Sequence, residues 1–341
     1  MRFLCIGMGA IGTYVGGSLA SAGHDVVFVE RSGQGDFKEI NLEYKDQPPV
    51  VDRVFTVNTI KAALDTGRFE AALLAVKSFD TPAVIAEVEP FQTEFPPLVC
   101  LQNGVENEDK IAAVLGEEKI IGASVTSAIR RIGPGNAVVE KERGIGLESI
   151  HPLSAELISL FNEAGVKTAG YPDRKSLKWS KMLTNLQANA LPAILNWTPV
   201  KVLSTPSTYA IECAALREAT EVMKALNIAV VNLPGTPVKP WVYAMTRLPE
   251  GISRPLIARL LGAGRGGKMP SLHIDLYAGR KQSEVVFLNG AVARFAAKLG
   301  LHAPVNEMLS RILSEMAGGD LPFDRYNDHP ERIQNEIMEH I

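Results

Sequence analysis

Cysteine is scarce in this chain: three residues in 341, Cys5, Cys100 and Cys213, lie far apart among apolar neighbours. An odd, scattered set of this kind builds no disulfide framework and reads as buried free thiols in a reducing compartment. The six histidines are equally dispersed. No His/Cys cluster has zinc-ligand spacing, so no metal is expected. Long apolar runs are also missing; none approaches the roughly 18–20 uncharged residues that cross a bilayer. Met1 stands almost directly before a strand-like segment, which leaves no room for a signal peptide, and a cytoplasmic location is expected. Charge of one sign is lacking too. A formal net charge of -3 without a long basic run gives no support to a nucleic-acid partner.

What is present is the composition of a globular protein, 46% hydrophobic and 21% charged. At 341 residues the chain exceeds the usual single-domain size, so two domains are expected. The first half alternates strand and helix. Apolar runs at Arg2–Ile6, Asp25–Glu30, Ala71–Val76, Leu98–Leu101 and Ile120–Val125 read as strands. Helical patterns fall at Ala10–Ala22, Thr59–Asp65, Pro82–Val88 and Asn107–Leu115. That alternation implies an α/β fold, a mainly parallel Rossmann-type sheet with helices on both faces. Ala137–Lys141 and Gly144–Leu147 are expected to pair as a late hairpin, followed by a helix at Ser154–Glu163 and a strand at Val166–Thr168. After Tyr171-Pro172, long helical patterns take over: Ser176–Leu195, Thr208–Leu226, Pro255–Leu261 and Glu284–Leu299. The expected domains are therefore 1–172, an all-helical 173–318, and a polar tail 319–341 that is either a mobile end or a small docking helix.

Gly7-Met8-Gly9-Ala10-Ile11-Gly12 lies between the first strand and the first helix, the context in which a glycine fingerprint signifies dinucleotide binding. Gly7 permits the tight turn, Gly9 lets a pyrophosphate approach the backbone, and Gly12 allows close helix–strand packing. The helix N-terminus adds N–H donors and a partial positive charge. The end of the second strand carries Glu30-Arg31-Ser32. Glu30 would accept the ribose hydroxyl of NAD, whereas Arg31 and Ser32 would bind the 2′-phosphate of NADP. NADP is the preferred reading and NAD stays open. Two more loops follow strand ends, Val76-Lys77-Ser78-Phe79 and Leu101-Gln102-Asn103-Gly104. Lys77 is placed to reach cofactor phosphate or ribose, and Asn103 to bridge the nicotinamide side and the substrate.

Lys181, Asn185 and Asn189 stand four residues apart in an otherwise apolar helical stretch. A four-residue step returns to nearly the same helix face, so one polar stripe is expected. An isolated helix lysine is usually a snorkelling surface residue. Beside two asparagines in register and downstream of a dinucleotide fold, Lys181 becomes a candidate proton source for a nicotinamide enzyme.

These residues together resemble the ketopantoate reductase (2-dehydropantoate 2-reductase) family. The resemblance rests on Gly7–Gly12, Val76-Lys77, Gln102-Asn103-Gly104, Trp179-Ser180-Lys181, the segment Ser283-Glu284-Val285-Val286-Phe287-Leu288-Asn289-Gly290, and Ala303-Pro304-Val305-Asn306. It runs in order from Met1 to about Leu309. It implies a Rossmann-type domain, a helical domain and a cleft between them, with NADPH-dependent reduction of ketopantoate to pantoate in pantothenate synthesis. By position it makes Lys181 the catalytic acid and Glu284 the residue holding the substrate hydroxyl, also near the cofactor. Asn103, Asn185 and Asn189 become substrate contacts, and Ser271 lies near the substrate carboxylate. The chain departs from the family pattern in four places: Val286 replaces a usual acidic residue, Ala190 replaces a usual proline, the spacing from Asp275 to Glu284 is one residue longer, and the segment Val231–Lys268 matches poorly. Expected partners are a small 2-oxo acid and, in a homodimer, a second copy of the chain; neither nucleic acid nor membrane is expected. The competing readings are a 3-hydroxyacid dehydrogenase, a reductase of a different 2-oxo acid, and a non-catalytic NADP sensor on the same fold.

Overall fold

The structure, a computed structural model, describes residues 1–45, 48–265 and 268–340, without the side chains of 260–265 and 338–340. Ile341, the last residue of the expected tail, lies outside them. Two compact units emerge: Met1–Lys178 with Leu233–Thr236, and Trp179–Asn232 with Pro237–Ile341.

Among the described residues the first unit holds eleven strands in one sheet. They are β1 (Arg2–Ile6), β2 (Asp25–Val29), β3 (Asp36–Tyr44), β4 (Val50–Val57), β5 (Ala71–Leu74), β6 (Leu98–Cys100), β7 (Ile120–Val125), β8 (Ala128–Gly133), β9 (Asn136–Lys141), β10 (Ile145–Glu148) and β11 (Thr168–Tyr171). Their order is β11-β10-β7-β6-β5-β1-β2-β4-β3-β9-β8. The run from β7 through β6, β5, β1 and β2 to β4 is wholly parallel. Strands buried on both faces need apolar residues at every position, and β1 obeys. Phe3 and Cys5 point into one core while Leu4 and Ile6 point into the other. The chain leaves β1 toward β2 on one side, and β5 lies on its other side. That switch point is where open α/β sheets take ligands, beyond the carboxyl ends of the strands.

The expected late hairpin does not form. β9 pairs with β3 and β8, whereas β10 pairs antiparallel with β7 and parallel with β11. Val- and Gly-rich composition signalled strands there but carried no information on their partners. The last strand also begins later than expected, at Thr168. Three further strands were not foreseen: β3, β4 and β8. β3 reads DFKEINLEY and shows water its charged side while burying Ile40 and Leu42. It pairs antiparallel with β4, and Phe37 meets Phe55 edge-to-face at 5.3 Å.

Among its described residues the second unit is helical, and the isolated bridge between Leu233 and Thr236 belongs to the first unit's returning segment. Its long helices are Pro206–Ala225, Val238–Arg247, Glu250–Arg265, Asn289–Lys298 and Pro304–Gly318. Three expected helices differ, the first being Pro255–Leu261, which lies inside the longer Glu250–Arg265 with Pro255 within the helix. The stretch Ser176–Leu195 is split into Arg174–Leu186 and Ala190–Leu195, with Ala188 in the left-handed region at φ 45. Glu284 to Phe287 forms a 3-10 turn, and the α-helix begins only at Asn289. The tail folds as a helix, Pro330–His340. Glu336 takes Arg311, Arg325 and the Tyr326 hydroxyl, and Ile333 is fully buried.

Candidate active-site residues

Ladder hydrogen bonds align four strand ends in the first unit. Gly7 N–H donates to Val29 O at 3.0 Å, Ala75 N–H to Ile6 O at 2.9 Å, and Leu101 N–H to Leu74 O at 3.0 Å. The glycine turn and the loops bearing Glu30, Lys77 and Asn103 therefore leave the sheet along one edge.

The glycines fit a dinucleotide. Gly7 has φ +105, and a Cβ there would stand 2.8 Å from Val76 Cγ1. A Cβ on Gly12 would lie 1.9 Å from the Gly7 carbonyl oxygen, so the helix can pack against the turn only without one. Above Gly9 nothing comes within 4 Å, which is the opening a pyrophosphate needs. The Ala10–Ser21 helix begins here without a side-chain cap, and its first intrahelical bond is Thr13 N–H to Gly9 O at 2.9 Å. The preceding amides thus have no acceptor within the helix and suit phosphate oxygens. Met8 is buried in the core, so only its backbone is open to such a ligand, and Ala10 and Ile11 present first-turn amides.

At the end of β2, Arg31 reaches out to solvent, 88% exposed, and pairs with Asp80 at 2.8 Å. Ser32 folds back on Glu30, whose Oε2 accepts the Ser32 amide at 3.0 Å and its hydroxyl at 2.5 Å. A residue that sequence reasoning missed joins them. Lys38, on β3, donates to Glu30 Oε2 at 3.2 Å and to Ser32 O and Oγ at 3.0 Å. Burial pushes the Glu30 carboxyl up, but Ser32 and Lys38 outweigh that and hold it below the ordinary carboxylate value.

The Lys77 and Asn103 loops are clamped together by hydrogen bonds that the loop sequences alone did not foretell. Gln102 Nε2 donates to Val76 O at 3.0 Å, to Lys77 O at 3.3 Å and to Thr81 Oγ1 at 3.0 Å. The Asn103 carbonyl accepts from Ser78 Oγ at 2.9 Å and from Asn107 Nδ2 at 2.8 Å. With its backbone held on two sides and Gly104 turning at φ +93, Asn103 is a fixed, half-buried platform for its carboxamide. Beneath it Lys178 donates to the Gln102 carbonyl at 2.5 Å. A satisfied internal network of this kind rigidifies the loops that bear it.

In the second unit, Lys181 and Asn185 lie one turn apart on the Arg174–Leu186 helix, both half-buried. Asn189 does not continue their stripe. The helix ends at Leu186, and the buried Glu212 captures the Ala188 amide at 2.7 Å. Asn189 instead braces the break: its Nδ2 donates to Asn185 O at 2.9 Å and its Oδ1 accepts the Leu272 amide at 3.3 Å. It thereby ties the Lys181 helix to the start of Ser271–Tyr277. Ser271 is the first residue of that helix, and it is exposed. Glu284 is 4% exposed on its 3-10 turn, which Ser283 caps by accepting the Val285 amide at 3.3 Å. The turn is followed by Asn289, which donates to Asn306 at 2.9 Å; Asn306 donates in turn to Glu218 at 2.7 Å. His273 stacks on Tyr277 and pairs with Asn196, a structural role.

The described residues show no cluster able to hold a metal ion, and no helix long and apolar enough to cross a membrane. The model of the family described as Ketopantoate reductase PanE/ApbA matches residues 3–150, and that of its C-terminal domain matches residues 173–317. The chain belongs to the ketopantoate reductase family. It is an oxidoreductase of that family by this match. A 2-dehydropantoate 2-reductase of Pyrococcus horikoshii is 25% identical over 331 residues, 94% of this chain and 99% of that one. Among solved structures, a PanE/ApbA family ketopantoate reductase from Ralstonia eutropha JMP134 has a TM-score of 0.76 at 23% identity, covering 94% and 99% of the two chains. A D-mandelate dehydrogenase bound to NADH and anilino(oxo)acetate has a TM-score of 0.74 at 17% identity, with 94% and 99% covered. At such identities these two structures establish the shared fold.

Proposed function

We propose that the chain is an NADPH-dependent reductase of a small 2-oxo acid, with 2-dehydropantoate the first candidate and pantoate its product. The family match across both halves of the chain supports the reaction class most directly. Residues 1–172 serve the nucleotide and 173–318 the substrate, with 319–341 as a supporting tail. The open face above Gly9, the uncapped helix start and the cations Arg31, Lys38 and Lys77 suit an anionic dinucleotide.

A reduced nicotinamide, when bound, supplies the hydride that goes to the keto carbon. Negative charge then develops on the carbonyl oxygen and must be met by a donor in place beforehand. Lys181 is that donor: its ammonium stabilises the oxygen and its proton completes the alcohol. Asn185 and Asn103 orient the substrate with carboxamide hydrogen bonds, an effect that can supply a large part of a rate. Asn189 holds Asn185 and the Ser271 helix in place, with Ser271 near the carboxylate. Glu284, buried on its 3-10 turn, accepts a substrate hydroxyl and also serves the cofactor.

A second reading keeps the chemistry and changes the substrate. Val286 stands exposed where the family usually carries an acid, and a neighbour of the same fold is a D-mandelate dehydrogenase solved with anilino(oxo)acetate, an aryl amide bearing a carboxylate. A panel of branched and aryl 2-oxo acids, followed by NADPH absorbance, separates the two. Turnover confined to 2-dehydropantoate supports the first reading, and turnover confined to aryl acids the second. Tight NADPH binding without turnover on any member would leave a nucleotide sensor.

A further inference from the structure

An acidic residue at the end of the second strand of a dinucleotide fold ordinarily accepts ribose hydroxyls and repels a 2′-phosphate. Glu30 occupies that position, so its charge speaks for NADH, whereas the neighbouring Arg31 speaks for NADPH. The local geometry resolves this contradiction through a lysine from another strand. After β2 the chain doubles back at Gly33, where a Cβ would lie 2.5 Å from the Val57 carbonyl, and at Gly35, with φ +75. The Gly33 amide donates to Glu30 O at 2.8 Å and the Gly35 amide to Thr56 O at 2.9 Å. Thr56 Oγ1 then pins Asp36 at 2.9 Å, which starts β3 in fixed register. Two residues on, Lys38 reaches the end of β2, with its ammonium 3.2 Å from Glu30 and 3.0 Å from Ser32 Oγ.

We infer that Lys38 is a specificity-determining residue for the cofactor: it neutralises Glu30 and offers its ammonium to the 2′-phosphate, so that NADPH is accepted despite the acid. Glu30 Oε2 already receives Ser32 N–H, Ser32 O–H and Lys38, leaving it poorly placed as the sole reader of a ribose hydroxyl. Arg31 and Lys38 approach from separate elements. Arg31 is paired with Asp80, and the three ammonium donors of Lys38 go to Glu30 Oε2, Ser32 O and Ser32 Oγ, so a phosphate would take the place of a Ser32 acceptor while the Glu30 pair is kept. A phosphate placed between them engages both cations, which a ribose hydroxyl would not. Because Lys38 comes from β3, an antiparallel addition beside the parallel strands, the preference is carried outside the glycine fingerprint and the strand that follows it.

This inference rests on the nucleotide half of the proposed function and not on its substrate. It is tested by direct titration of NADPH and NADH against intrinsic protein fluorescence, with no 2-oxo acid present. Failure of the reductase reading would appear separately, as absent turnover. The expected result for Lys38→Met is a loss of NADPH affinity of about 10- to 100-fold, the worth of one charge-assisted hydrogen bond. NADH affinity should change less than about twofold on the same scale. Lys38→Arg should keep the preference, and Glu30→Gln should tighten NADPH without tightening NADH. Equal effects of Lys38→Met on both nucleotides would overturn the inference, as would wild-type protein that prefers NADH. If Lys38→Met fails to fold, Glu30→Gln carries the test: no gain for NADPH over NADH overturns it.

Discussion

Lys178 Nζ lies 2.7 Å from Glu108 Oε1, and both side chains are 4% exposed. This buried ion pair sits directly under the Gln102–Asn103 loop, and Lys178 also donates to the Gln102 and Ala123 carbonyls. Burial alone would lower the Lys178 pKa, but Glu108 more than offsets it and the net shift is upward. A raised lysine pKa contributes stability that is fully present below the unfolded value near 10.4 and is lost as pH rises through the folded one.

Removing one partner leaves the other charge buried and unpaired. Lys178→Met should therefore lower stability by about 3–5 kcal/mol, read by denaturant unfolding at neutral pH. The double replacement Lys178→Met, Glu108→Leu should recover much of that loss. A single variant within about 0.5 kcal/mol of wild type would mean the pair is dispensable.

Gly9 and Gly12 make a paired test of the nucleotide turn. Gly9→Ala enters open space and should cost no more than about 1 kcal/mol of stability. It should nevertheless weaken dinucleotide binding by at least about tenfold, since the new methyl group occupies the phosphate approach. Gly12→Ala places a carbon 1.9 Å from Gly7 O and should damage both folding and binding. Calorimetric titration of the two variants, alongside thermal melts, distinguishes the positions.

Asp173 caps the helix that carries Lys181, accepting the Lys175 and Ser176 amides at 3.0 and 3.1 Å as well as the Ser176 hydroxyl. Burial opposes ionisation, but the Ser176 and Lys175 bonds prevail and the carboxyl sits below its usual value. Such a depressed pKa gives stability present above the unfolded value near 3.9 and lost as pH falls through the folded one. Asp173→Ala should thus cost about 1 kcal/mol at pH 7, with the difference from wild type shrinking in acid. Unfolding curves taken across that pH range check the sign.

The parallel strands were legible because burial on both faces writes an unbroken apolar run, as in Ala71–Leu74 and Ile120–Val125. β3 was not, because half of DFKEINLEY faces water and its sparse Ile40 and Leu42 resemble a loop's occasional apolar residue. The break after Leu186 was hidden for a different reason. Nothing in Gln187-Ala188-Asn189 forbids helix; the left-handed turn at Ala188 is held by Glu212, which lies far away in sequence. The glycine turn, Lys77, Asn103 and Lys181 could be singled out from spacing and context. Lys38 and Lys178 could not, since a lone lysine acquires meaning only from the carboxylate the fold brings to it.

Glu284→Ala should raise the Michaelis constant for an accepted 2-oxo acid by about tenfold or more while the NADPH dissociation constant moves far less. Glu284→Gln, which preserves hydrogen bonding, should fall between the two. An unchanged Michaelis constant in Glu284→Ala would remove this residue from the substrate site.

The most direct measurement is the single-turnover rate of Lys181→Met with saturating NADPH and the best 2-oxo acid of the panel, beside its NADPH dissociation constant. A proton-donor role predicts a fall of about a hundred- to ten-thousandfold in rate, with cofactor affinity nearly intact. A rate close to wild type would contradict it.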